Sequence, residues 1–429
     1  MKYLRYVVLM LATVVSSMAQ GSYYPPIGDT TWQRIGLDEL GWSASRVDSL
    51  IRYADRTLSN ALIVLVGGRI AIEWYGEGRT AASQWYWASA GKTVTATLVG
   101  VLQQEGKLSI AESTSKYLGR GWTSLAPEQE DRITIWHQLT MTSGLDDRVS
   151  DPFCTEKACL QYKAEPGTRW AYHNAPYTLL DGVIEAASGE TFQAVLTRSL
   201  LAKTGMTGRF IASGFNNVMT STPRSMARFG LLAQRRFVWN GTPILTDTAY
   251  INALTRPSQT LNPSYGYLWW LNGQPTYKLP GLQVDFKGPA FPEAPSDAFN
   301  ALGKNNQLIS VSPSMDIVIV RTGNNPDSLL QGADVATTQA NDLWRLLRAA
   351  MPTTNVPATN GGIEIHGRTL RALGESIGTC IITSITGEQV VLEGGNASAL
   401  ELPALARGVY YLQVRLQGHT VLQPWVNLQ

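Results

Sequence analysis

The feature that most constrains this chain is a break in pattern at residue 352. The stretch Pro352-Thr353-Thr354-Asn355-Val356-Pro357-Ala358-Thr359-Asn360-Gly361-Gly362 has the composition of a linker. After it come short β-type runs, Cys380–Ile385, Gln389–Leu392, Gly408–Val414 and Val421–Val426, split by Gly, Asn and Pro and containing no lysine. Before it, helix and strand patterns alternate. The chain therefore divides into a mixed region at 20–352, a linker at 353–362 and a small all-β sandwich at 363–429.

The N-terminus carries an export signature. Lys2 and Arg5 precede the apolar run Tyr6–Val15, and Ser17-Met18-Ala19 offers small residues for cleavage, so residues 1–19 read as a signal peptide. The run is too short to span a bilayer, which takes roughly 20 residues, and no later segment approaches that length. The full chain has 35 Lys+Arg against 33 Asp+Glu. Without the two basic residues of the signal, 33 face 33, and a neutral surface gives no electrostatic reason to expect nucleic acid as a partner. Four histidines and three cysteines match no zinc spacing, so neither metal nor cofactor is expected. Export permits a disulfide, and Cys154 and Cys159 are close enough to staple a short loop if geometry allows, leaving Cys380 free and buried.

In the mixed region, Ser43 is placed to cap a helix with Val47, Leu50, Ile51 and Ala54 on one face. Ala61–Val66, Gly67-Gly68 and Arg69–Tyr75 read as a hairpin, and Ile317–Val320 as a buried strand. Ala336–Ala350 reads as a final helix with Leu343, Leu346 and Leu347 inward. Helices between strands at both ends suggest a sheet with helices packed on it.

A candidate nucleophile is Ser89 in Ser89-Ala90-Gly91-Lys92. Three residues make almost one helical turn, which brings hydroxyl and ammonium to one face, and a lysine there can activate a serine. With 30 serines and 10 lysines, about 0.7 such pairs are expected by chance. Indeed Ser113-Thr114-Ser115-Lys116 is a second. Context separates them. Ser89 precedes a helix with Val94, Leu98, Val101 and Leu102 on one stripe, stopped at Gly106, whereas Gly119 and Gly121 cut short any helix behind Ser113. The second element is Tyr172-His173-Asn174, ahead of a helix over Tyr177–Ala187. A tyrosine beside a lysine ammonium has its phenolate favoured and can serve as base, while Asn174 can hold the lysine and bind a substrate oxygen. His173 reads as a partly exposed loop residue, since no acid has a motif position to orient it and Gly-x-Ser-x-Gly is absent around Ser89.

Ser89-x-x-Lys92 followed by Tyr172-x-Asn174 resembles the serine β-lactamase and penicillin-binding-protein family, in its class C and esterase-like branch. Leu139-Thr140-Met141-Thr142-Ser143-Gly144-Leu145, the turn at Pro166-Gly167-Thr168, and Ser221-Thr222-Pro223 with Arg228-Phe229-Gly230 resemble further family segments, in order over about residues 35–350. The resemblance implies an α/β (α+β) fold: a β-lactamase/transpeptidase-like sheet with flanking helices and a helical subdomain. It implies a serine hydrolase working through an acyl-enzyme, with Ser89, Lys92 and Tyr172 catalytic. The literal Lys203-Thr204-Gly205 ends an amphipathic run and reads as a helix stop, so the third motif is matched instead to Ala301-Leu302-Gly303. This resembles the variant in 6-aminohexanoate-dimer hydrolase-like members and would place the backbone N–H groups of Ser89 and Lys304 as the oxyanion hole. Ala301 cannot bind a carboxylate as the usual Lys or His does, which favours a neutral ester or amide, of small-molecule or peptide type. A D-amino-acid peptidase, a β-lactamase and an inactive binding fold stay open. Trp85, Tyr86, Trp87, Trp170, Trp269 and Trp270 are candidates for an apolar acyl pocket or for core. Residues 399–414, after the hairpin of Thr386–Val390, resemble the end of a type IX secretion sorting domain, which implies the outer-membrane secretion machinery as a partner.

Overall fold

The computed structural model describes residues 22–325 and 337–352, and 362–427 apart from 367, 374–375, 385–387, 406–407 and 417–419. The expected signal segment and residues 353–361 of the expected linker lie outside the described residues.

A six-stranded antiparallel sheet organises the larger part. Its strands are β1 (Ser59–Val66), β2 (Arg69–Tyr75), β3 (Trp270–Leu271), β4 (Phe299–Gly303), β5 (Gln307–Ser312) and β6 (Ile317–Gly323), in the order β2-β1-β6-β5-β4-β3. The expected hairpin is β1–β2, with Val66 opposite Arg69 and Gly67 and Gly68 both at positive φ, as a two-residue turn of the favoured hand requires. Register places Val64 opposite Ile319, Ile309 opposite Val320 and Ala301 opposite Ile309, so the sheet's centre is apolar on both faces.

Helices cover both faces. The helix α1 (Ala44–Arg56) packs with the final helix, Thr337–Ala350, whose Trp344 Nε1 donates to Ser310 Oγ at 2.8 Å. Pro223–Gln234 covers the opposite face: at its Gly230, a Cβ would stand 2.5 Å from Val318 Cγ1 and 2.8 Å from Ile309 Cγ2. Ile309 and Ser310 are neighbours on β5, and alternation sends them to opposite faces. Its N-cap, Thr222, accepts from Ser225 N–H, so the Ser-Thr-Pro segment starts a helix as expected. In the final helix Leu343 and Leu347 are buried with Trp344, whereas Leu346 is only half-buried.

Three local readings change. Ser43 occupies the N-cap of α1, but its hydroxyl faces Ser45 Oγ at 3.1 Å rather than the helix N–H groups. The helix behind Ser89, α2 (Lys92–Gln104), is buried all round from Lys92 to Leu102, so it is a central helix and not one with a single apolar stripe. Its Thr93 and Thr97 hydroxyls satisfy themselves on the carbonyls of Ala90 (2.7 Å) and Thr93 (2.8 Å), which lets polar residues sit in the core. The single helix expected over Tyr177–Ala187 is two, α3 (Asn174–Thr178) and α4 (Leu180–Ser188).

The C-terminal residues form two small antiparallel sheets. One joins Gly362–His366, Thr369–Leu373 and Ala399–Glu401, and the other joins Gln389–Ala397, Ile377–Ser384, Gly408–Leu416 and Thr420–Asn427. Leu370, Ile377, Ile382, Leu402, Leu412 and Val414 share one apolar cluster, together with the unpaired, buried Cys380. Among the described residues no helix is long and apolar enough to cross a membrane.

Candidate active site

Ser89 lies on a single 3-10 turn, Ala88–Gly91, between the short strand Trp85–Tyr86 and α2. The turn is clamped. Trp87 N–H donates to Met219 O at 2.8 Å, and the buried indole of Trp87 donates to Ser221 Oγ at 2.7 Å. Ala88 sits at φ 48°, a left-handed conformation that costs a residue with a Cβ and persists only where the surroundings impose it. Ser89 itself stays half-buried, so its hydroxyl is held rigidly yet can be reached.

Lys92 is the first residue of α2, and only 4% of its surface is exposed. Its Nζ donates to Ser89 Oγ at 2.9 Å and to Asn174 Oδ1 at 2.8 Å, and lies 4.3 Å from the ring centroid of Tyr177. Neither hydrogen-bond partner carries charge. Burial therefore pulls its pKa down to about 7, partly offset by the field of Asp181. Tyr172 lies within the influence of the Ser89 hydroxyl, with its ring centroid 5.3 Å from Lys92 Nζ, and stacks on Trp270 at 5.7 Å. Burial raises the Tyr172 pKa, and the nearby Ser89 hydroxyl only lessens that rise. Sequence reasoning made Tyr172 the base, as a phenolate beside an ammonium. Burial acts against both charged forms, disfavouring the phenolate of Tyr172 and the ammonium of Lys92.

Gly303 ends β4 against the nucleophile turn, where a Cβ would meet the Trp87 carbonyl oxygen and approach Ala88 Cβ and Ala90 N, each at 3.1 Å. Ala301, two residues back on the same face, is fully buried. Lys304 has an exposed side chain and opens a turn in which Asn305 and Asn306 both stand at φ 60°, a conformation Asn tolerates better than most residues. Sequence reasoning missed the group that holds this turn. Arg321 on β6 is fully buried and donates to Asn305 O (2.6 Å), Asn306 O (3.2 Å), Thr57 O (2.8 Å), Asn324 O (2.6 Å) and Ser59 Oγ (2.9 Å). An arginine inside an apolar run gives no sign of that role until the pairing is known.

The remaining candidates separate. Trp170 and Trp270 pack around Tyr172 with Tyr265, Trp85 and Tyr86 are half-buried, and Tyr86 Oη accepts from Asn305 Nδ2 at 2.7 Å. Trp87 and Trp269 are fully buried core, flanking Phe229 at 5.8 and 5.9 Å. His173 is buried rather than partly exposed; neither ring nitrogen has a partner among the described residues, so it is not hydrogen-bonded to Ser89. Lys116 is exposed and paired with Glu112, and Gly205 caps its helix at φ 70°, as a solvated charge and a helix stop should. Cys154 is joined to Cys159 with Cα atoms 5.9 Å apart. Among the described residues no cluster of His, Cys, Asp or Glu could hold a metal ion.

Sheet, helices and site define a β-lactamase-type fold, and sequence comparison agrees: the family described as Beta-lactamase matches residues 47–341, and the chain belongs to it. Within it, the chain is 22% identical to the 6-aminohexanoate-dimer hydrolase of Paenarthrobacter ureafaciens over 335 residues, 68% of this chain and 79% of that protein. The structure of a putative 6-aminohexanoate-dimer hydrolase from Bacillus anthracis is similar, with TM-score 0.55 and 18% identity over 75% of this chain and 89% of that one. So is that of a putative beta-lactamase from Bacteroides dorei DSM 17855, with TM-score 0.56 and 16% identity over 71% and 99% of the two chains. Its relatives are hydrolases of the serine β-lactamase and penicillin-binding-protein superfamily.

Proposed function

We propose that this chain is an exported serine hydrolase that opens a neutral ester or amide through an acyl-enzyme on Ser89. The observation that carries the reading is the amine of Lys92, 2.9 Å from Ser89 Oγ and hydrogen-bonded to no charged group among the described residues. Such a lysine can be uncharged near neutrality and accept a proton. As Ser89 Oγ bonds to the substrate carbonyl carbon, its proton passes to Lys92 Nζ. The tetrahedral oxyanion rests on the N–H groups of Ser89 and Lys304. The bond to the leaving group breaks, and the departing alcohol or amine takes a proton through the Tyr172 hydroxyl. Water then attacks the acyl carbon and releases the acid. Asn174 keeps Lys92 aimed and can meet the substrate amide or ester.

Substrate class follows from Ala301. A buried methyl on the strand beside the nucleophile offers nothing to a carboxylate, which argues against β-lactams and peptide C-termini. Intact-mass spectrometry after brief exposure to p-nitrophenyl esters, anilides and nitrocefin tests this. Ester or amide adducts on Ser89 without a nitrocefin adduct are expected, and efficient turnover of nitrocefin would overturn the neutral-substrate reading. The rate should rise as pH climbs through about 7, because Lys92 must lose its proton to act, and fall away below that.

For the C-terminal sheets we propose a sorting role, supported by the resemblance at residues 399–414 and by their separate apolar cluster. Deleting 353–429 should leave hydrolysis intact in lysates and stop the protein reaching the medium. A truncated chain that is still released ends the idea.

A further inference from the structure

One half-buried carboxyl, whose field reaches Lys92, has no task in the acyl-transfer scheme. Asp181 stands at the start of α4, four residues beyond the Tyr177 whose ring underlies Lys92 Nζ. The residue lies in the seam between α2, α4 and the strand Asn216–Ser221. Its Oδ2 accepts from Asn217 Nδ2 at 2.8 Å, while its Oδ1 is shut off from solvent and has no hydrogen-bond partner among the described residues. A buried carboxyl oxygen without a donor is costly unless a positive charge lies within its field.

Among the described residues, the groups facing this seam leave Asp181 as the counter-charge whose field acts on Lys92. From α2 comes Lys92; from the nucleophile turn, Ser89; from α3 and the segment before it, Tyr177 and Tyr172; from the loop before β3, Tyr265. Burial keeps all three phenols protonated. Glu185, a turn further along α4, is exposed and acts on Asp181 only by raising its proton affinity.

We propose that Asp181 is a positioning residue for proton transfer, its carboxylate stabilising the ammonium that Lys92 becomes on taking the Ser89 proton. The inference rests on the reading of Lys92 as proton acceptor. In that step the proton moves from Ser89 Oγ to Lys92 Nζ while Oγ bonds to the acyl carbon; Asp181 neither gains nor loses one. Burial raises the Asp181 pKa to about 7, and the hydrogen bond from Asn217, together with Lys92, opposes that rise. Asn217 thus favours the carboxylate, which ionises as pH rises through about 7, the range in which Lys92 loses its proton.

The test is the pH dependence of kcat/KM for p-nitrophenyl acetate in wild type, D181N, N217A and the double variant. Asn at 181 can still accept from Asn217 and removes a buried charge, so folding should survive. The acid limb of D181N should move down by about half a unit or more, with a plateau several-fold lower, because Lys92 loses its counter-charge. N217A should move the limb the same way, by letting Asp181 protonate, and the double variant should move no further than D181N. A D181N acid limb superimposed on that of wild type, with Ser89 still fully acylated, overturns the proposal. Should D181N fail to fold, an N217A profile identical to wild type overturns it instead. Failure of the underlying reading looks different: wild type then forms no adduct on Ser89 at any pH.

Discussion

Alanine at Ser89 should abolish turnover of every ester and amide that wild type accepts, a loss of about four orders of magnitude or more in kcat, while the protein stays folded. The size follows from the coupling of the site. In the proposed scheme Lys92 and Tyr172 both work through the Ser89 hydroxyl oxygen, and without it no covalent intermediate can form. The fold has little stake in that atom. Ser89 is half-buried on a turn whose anchors are backbone and Trp87 contacts, all of which remain in the variant. Lys92 loses one of two hydrogen-bond acceptors and keeps Asn174, so stability should change by no more than about 1 kcal/mol. Thermal unfolding and intact-mass labelling with a fluorophosphonate read the two halves separately. Labelling of the variant at a wild-type rate would place the nucleophile elsewhere.

The parts of this site that chain-local pattern encodes were legible in the sequence. A Ser-x-x-Lys spacing can be read because one helical turn fixes it, and here Lys92 does meet Ser89. The Gly67-Gly68 hairpin and the strand at Ile317 are equally local: one rests on turn chemistry, the other on an apolar run. Pairing across distance was not legible. Arg321 meets the Asn305–Asn306 turn only because β5 and β6 pair in one register, and the field of Asp181 reaches Lys92 only because α4 packs on α2. Burial also decided protonation. From residue types, an ammonium favours a phenolate; burial disfavours both charged forms, which is why Lys92 rather than Tyr172 is proposed as the base. His173 shows the same limit, since nothing in its neighbours along the chain announces that its ring is enclosed.

The second large effect is expected at Gly303, where alanine should cut kcat/KM about a hundredfold. Backbone conformation is no obstacle, because Gly303 is extended at φ −138° and any residue can adopt that. Space is the obstacle. The added methyl would press on the Trp87 carbonyl oxygen, with Ala88 Cβ and Ala90 N also close at 3.1 Å. Trp87 cannot retreat: its ring is fully buried, bonded to Ser221 and packed on Phe229, and its N–H is tied to Met219. The strand must therefore lift from the nucleophile turn, at a cost of about 1–3 kcal/mol for overpacking. That motion separates the N–H of Lys304 from the N–H of Ser89, and an oxyanion site widened by about 1 Å stabilises the tetrahedral intermediate far less. The nucleophile and its lysine are untouched. G303A should thus still reach full fluorophosphonate labelling of Ser89 given time, at a rate reduced in step with kcat/KM. Wild-type kinetics in G303A would mean that β4 can yield without consequence, and that the oxyanion is not bound between this strand and the turn.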